Sequence, residues 1–144
     1  MRLLEIRSVA EQLMTAGKID YLDLSLWDCF KEPEDPALHG RNLMAYFTDL
    51  NRGSVRLGAA GKIGSGSAAA NVLRAGMDFV VIGRAAVLHH DFASRVGANP
   101  AFEPIATPVT PEYLRNEGLS DSFIGYMRNW KGFVTDPVEE PASV

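Results

Sequence analysis

Val55-Arg56-Leu57-Gly58-Ala59-Ala60-Gly61-Lys62-Ile63 and, after a spacer, Asp78-Phe79-Val80-Val81-Ile82-Gly83-Arg84 decide how this chain folds. Each is a short apolar run closed by a glycine and a cation. The runs Val55–Ala60 and Asp78–Ile82 have the length and composition of buried strands. Between them, Ser65–Ala75 places Ala68, Ala69, Val72 and Leu73 on one helical face, with a capping hydroxyl at Ser65 and a stop at Gly76. A strand, a helix and a strand in so short a span form a right-handed parallel unit with both strand ends on one side of the sheet. Gly61-Lys62 and Gly83-Arg84 then become neighbours. Glycine leaves backbone N–H groups bare to an anion, and the two side chains add whole charges, which is the chemistry of a phosphate site. In (β/α)8 barrels a phosphate is commonly held by the loops after the seventh and eighth strands. The same four residues also suit ordinary βα turns with solvated cations. Neither GxxxxGK[ST] nor GxGxxG occurs, which argues against a triphosphate loop and a dinucleotide fingerprint.

Upstream, Tyr21–Leu26 alternates leucine with polar side chains, so Leu22, Leu24 and Leu26 meet covering helices while Tyr21, Asp23 and Ser25 face the other way. A helix over Leu4–Ala16 precedes it, with Ile6, Val9, Ala10 and Leu13 at helical spacing and Gly17 as its stop. Lys31–Pro36 is too charged and proline-rich to continue either element. Trp27 and Asp28 lie just past the strand, as rim residues of a binding site, or with the indole packed under the proline-rich loop and the carboxylate capping a turn. His89 and His90 are adjacent and point in different directions, with no acidic partner at ligand spacing beyond Asp91, so no metal site is expected. Near the end, Ser120 can cap a helix carrying Phe123, Ile124, Met127 and Trp130 on one face. Residues 135–144 turn to Pro, Glu and small side chains and are expected to form a disordered tail after a single domain of 1–134.

Composition fits a globular piece: 47% hydrophobic, 22% charged, net charge -4, with no broad cationic field for nucleic acid. No apolar run reaches the ~20 residues of a membrane span, and the first residues lack the apolar segment of a signal peptide. Cys29 is the single cysteine, which excludes an intrachain disulfide and suits a reducing cytoplasm.

The runs DYLDLSLWD, AAGKI, LRAGMDFVVIGRAAVLHHDF and PVTPEYLRNEGLSDSFIGYMRNWKGFV together resemble the C-terminal part of the old yellow enzyme family of NADH:flavin oxidoreductases, from about Leu4 to Val134. The resemblance implies an α/β fold, a partial (β/α)8 TIM barrel made of about the last three strand-helix units plus a C-terminal helix. It implies that Gly61, Lys62, Gly83 and Arg84 hold the phosphate of FMN, with Trp27 and Asp28 on the flavin or substrate rim. The implied family reaction is hydride transfer from NAD(P)H, through FMN, to an activated alkene or similar acceptor. The early strands that carry the family's substrate-holding pair and tyrosine proton donor have no counterpart here, and no catalytic role maps onto His39, His89 or His90. In such a barrel Tyr21, Asp23 and Ser25 face the interior, and three strands cannot close. Self-association through exposed strand edges, or a non-catalytic remnant that binds phosphate or FMN weakly, are the accompanying expectations.

Overall fold

The computed structural model describes residues 2–135. It is a mixed α/β structure built on one three-stranded parallel sheet in the order β1-β2-β3. The chain opens with helix α1 (Leu3–Thr15), whose Glu5 carboxylate reaches back to accept the Arg2 amide at 2.9 Å. Gly17, at φ 65°, turns the chain into β1 (Tyr21–Ser25). A loop containing one 3-10 turn (Pro36–Leu38) and the short helix α2 (Ala45–Thr48) lead to β2 (Arg56–Ala60). Helix α3 (Gly66–Arg74) is capped by Ser65, whose hydroxyl accepts the Ala68 amide at 3.2 Å, and is followed by β3 (Phe79–Val81). Four short helices complete the described chain: α4 (Arg84–Leu88), α5 (Phe92–Ala98), α6 (Pro111–Asn116) and α7 (Asp121–Met127). The three strands occur where the apolar runs place them, each a residue or two shorter.

Strand pairing sets Ser25, Ala60 and Val81 level at the C-terminal edge, because Ser25 partners Ala60 and Ala60 partners Val81. One sheet face is buried. Leu24, Leu57 and Ala59 join Met14 of α1, Phe47 of α2 and Val72 of α3 in the main core. Each of these side chains larger than alanine contributes about 1.5–3 kcal/mol by leaving water. The other face is open, with Tyr21 63% exposed and Asp23 and Ser25 also exposed. Along it Phe79 lays its ring across β2 and meets Tyr21 edge-on at 5.8 Å. Gly58 makes that possible, since a Cβ there would stand 2.1 Å from the Phe79 ring.

Three helix faces differ from expectation. In α1 the buried residues are Ala10 and Met14, while Ile6, Val9 and Leu13 are exposed. The helix is apolar on two sides, so its period did not choose between them; Arg7 does, by donating to the Tyr46 carbonyl of α2 at 2.9 Å and to Asp49 at 3.2 Å. In α3, Ala69 and Val72 are buried but Leu73 is exposed. In α7, which ends at Met127, Phe123 is exposed and Trp130 lies beyond the helix. Its Ile124 and Met127 join Leu88, Val109, Leu114, Phe133 and Val134 in a second core among the later helices. Thr135, assigned to the disordered tail, donates its amide to the Val109 carbonyl at 2.9 Å; the rest of that expectation falls on 136–144, outside the described residues. No helix among the described residues is long and apolar enough to cross a membrane.

Candidate functional site

The level strand ends open into a cavity of about 700 Å³, closed on its far side by α4, the segment Glu103–Thr107, Trp130 and Phe133. Gly61, Lys62, Gly83 and Arg84 all line it. Parallel pairing makes this so: it sends both β2 and β3 out of the sheet in the same direction.

The four residues do different things. Gly61 sits at φ 149°, and a Cβ on it would come within 1.6 Å of the Leu26 carbonyl oxygen. Its carbonyl accepts the Cys29 amide at 3.3 Å and the Cys29 thiol at 3.0 Å. Packing against the exit of β1 therefore demands this glycine whether or not an anion binds. Gly83 is the opposite case. A Cβ there, or on neighbouring Gly64, would meet nothing, so bare backbone faces open space at two points of the cavity wall.

Lys62 is held in the left-handed region at φ 52°, and its ammonium meets Asp28 at 3.0 Å. The Lys62 hydrogen bond, with help from the Phe30 amide, holds the Asp28 carboxyl below its ordinary range. Arg84, the first residue of α4, is exposed, and its side chain makes no ion pair or hydrogen bond among the described residues. It is the cation left to meet an anionic guest.

Trp27 lines the cavity and is 83% exposed, so the indole does not pack beneath the proline-rich loop. Asp28 does not line the cavity; one oxygen accepts the Phe30 amide in a turn at 3.1 Å and the other meets Lys62. The sequence reading missed the opposite wall, Glu103, Ile105 and Phe133, which no local pattern connects to the strand ends. Gly64 could have been found, since it lies two residues past Lys62 in the same glycine-rich turn.

The histidines divide. His39 stands apart on the proline-rich loop, 3.9 Å from Glu32. His89 is buried, at 6% exposure, whereas His90 is exposed and bonds Glu117 through its ring at 2.8 Å. Folding brings Glu117 close enough that one atom each of His89, Asp91 and Glu117 lie within 4.8 Å, a proximity the sequence did not suggest. Every member has a partner already. Asp91 accepts from Arg95 at 2.6 Å, Glu117 accepts the His90 amide at 2.9 Å, and both His89 nitrogens are engaged. Burial alone would raise the Glu117 carboxyl, but the His90 bonds outweigh it and hold the group low. The cluster reads as an internal hydrogen-bonded network.

Compared with protein-family models and with curated proteins, the chain matches none of them.

Proposed function

We propose that this chain supplies the phosphate end of an FMN site in an oxidoreductase of the old yellow enzyme type, built as the last three units of a (β/α)8 barrel. The observation that carries the reading is the convergence of Gly61, Lys62, Gly83 and Arg84 on one cavity at the ends of two parallel strands. The fit to the phosphate end is good. Arg84 offers a guanidinium unpaired among the described residues, Gly64 and Gly83 offer bare backbone, and the volume suits a ligand of nucleotide size. At the ring end, Trp27 and Trp130 offer aromatic surface, but among the described residues the lining includes no tyrosine or histidine to act as proton donor.

When bound, FMN would supply hydride transfer between NAD(P)H and an activated alkene or similar acceptor. The residues of this chain would bind and orient: Arg84 neutralises phosphate, Lys62 lends charge as far as Asp28 releases it, and Trp27, Ile105 and Trp130 exclude water from the cavity mouth. A proton donor would come from elsewhere. FMN and riboflavin, which differ only in the phosphate, provide the test by fluorescence titration. FMN should bind at least about tenfold more tightly, the value of one charge-assisted contact. Equal binding, or none by either, would sink the reading.

A second reading, a piece that associates through its open side, rests on a separate observation. Among the described residues β1 and β3 are sheet edges, one sheet face is open, and α1 exposes Ile6, Val9 and Leu13. Unpaired edges and apolar stripes are the features that drive association.

A further inference from the structure

The wall of the cavity formed by Glu103–Thr107 belongs to no helix or strand. Among the described residues, its backbone makes one hydrogen bond: the Ile105 amide donates to His89 Nε2 at 2.9 Å. His89 is anchored on the other side. Because Nε2 accepts, the ring proton lies on Nδ1, which faces the Tyr113 hydroxyl at 3.2 Å; that hydroxyl in turn donates to the Leu88 carbonyl at 2.8 Å. Phe102 and Tyr113 meet the ring edge-on at 5.2 and 6.3 Å. The imidazole thus joins the end of α4, whose first residue is Arg84, to an opposite wall whose other polar tie is the Ser67 hydroxyl, donating to the Glu103 carboxylate at 3.3 Å.

We propose that His89 is a positioning residue for the cavity: its neutral ring clamps the Ile105 amide and holds the Pro104–Thr107 wall in place, and it lets go when the ring gains a proton. A second proton can only go to Nε2. That nitrogen would then be a donor facing a donor, while Nδ1–H keeps its Tyr113 partner in both states, so the change is confined to the wall. The charged and titratable groups around the ring are His90 and Asp91 on its own segment, Arg95 of α5, Tyr113 of α6 and Glu117 just past its end. Asp91 and Glu117 are committed to Arg95 and His90, and neither accepts from His89. Burial first, and Arg95 second, favour the neutral ring, so the clamp is closed at neutral pH. The inference concerns the wall itself and holds whatever fills the cavity.

The test is an NMR pH titration of the whole chain without ligand, following the His89 ring nitrogens and the Ile105 amide. The expected result is an Nδ1–H ring at pH 7.5, then a common midpoint for His89 and Ile105 on acidification. Exchange of the Ile105 amide, corrected for intrinsic pH dependence, should quicken about tenfold or more below that midpoint. His89→Gln, an uncharged side chain that can still accept, should retain Ile105 protection and abolish the pH step. An Nε2–H ring at neutral pH, or an Ile105 amide that stays unmoved while His89 titrates, would overturn the proposal.

Discussion

The Lys62 ammonium lies 3.0 Å from the Asp28 carboxylate, tying the turn after β2 to the turn after β1. The two residues are 34 positions apart, and their pairing leaves Arg84 as the cavity-lining cation with no side-chain partner among the described residues. Lys62 keeps about half its surface in water, with a side-chain exposure of 52%, so the bond is an ion pair of modest strength.

Replacing Asp28 with asparagine should therefore change stability by less than about 1 kcal/mol, the usual worth of such a pair. It should also release Lys62 toward the cavity and tighten FMN or inorganic pyrophosphate binding up to about fivefold, less at high salt. Weaker binding in Asp28→Asn, measured by calorimetry, would mean that Asp28 positions Lys62 for the anion instead of competing with it.

Arg84→Ala should lower FMN affinity about 10- to 100-fold, the range of a charge-assisted hydrogen bond, while leaving riboflavin binding unchanged. Lys62→Ala should cost less. Fluorescence titration of both variants with both flavins separates the two cations; an unchanged FMN affinity in Arg84→Ala would remove it from the site.

Two glycines should respond differently to alanine. Gly58→Ala drives a methyl into the Phe79 ring, an overpacking fault worth about 1–3 kcal/mol that a smaller Phe79→Leu partner should largely relieve. Gly61→Ala meets the Leu26 backbone carbonyl at φ 149°, and no side-chain change can make room. It should cost more and resist rescue. Urea unfolding of the single and double variants is the check.

Stability should fall in two steps on acidification. The first is His89: its folded pKa is lowered by burial, so below about 6.5 the unfolded chain takes up a proton that the folded chain refuses, and stability declines from there down to the folded value. The second comes from Asp28, Asp49 and Glu117, whose folded pKa values are also lowered; their stabilisation is present above about 4.5 and is lost as pH falls through the folded values. His89→Gln should flatten the first step and leave the second, as read by urea midpoints from pH 7.5 to 3.

If the exposed apolar stripe of α1 drives association, the chain should sediment as dimers or larger species at micromolar concentration, and Val9→Lys with Leu13→Lys should shift it toward monomer without lowering its melting temperature. A wild-type chain that is monomeric at all concentrations would reject this reading.

The sequence by itself determined the three strands, the α1 and α3 helices and the Ser65 and Ser120 caps, because these depend on the spacing of nearby residues and on which side chain can meet an orphan amide one turn ahead. It also placed Gly61-Lys62 and Gly83-Arg84 at strand ends that parallel pairing makes neighbours. Only the tertiary structure decided what each residue does there. Which apolar side of α1 is buried depends on where α2 lies, Gly61 is demanded by Leu26, and Lys62 is claimed by Asp28. His89 acquires its role from Ile105 and Tyr113, which arrive from separate segments. A hydrogen bond acts over about 3 Å whatever the length of chain between its partners, so local pattern carries no record of it.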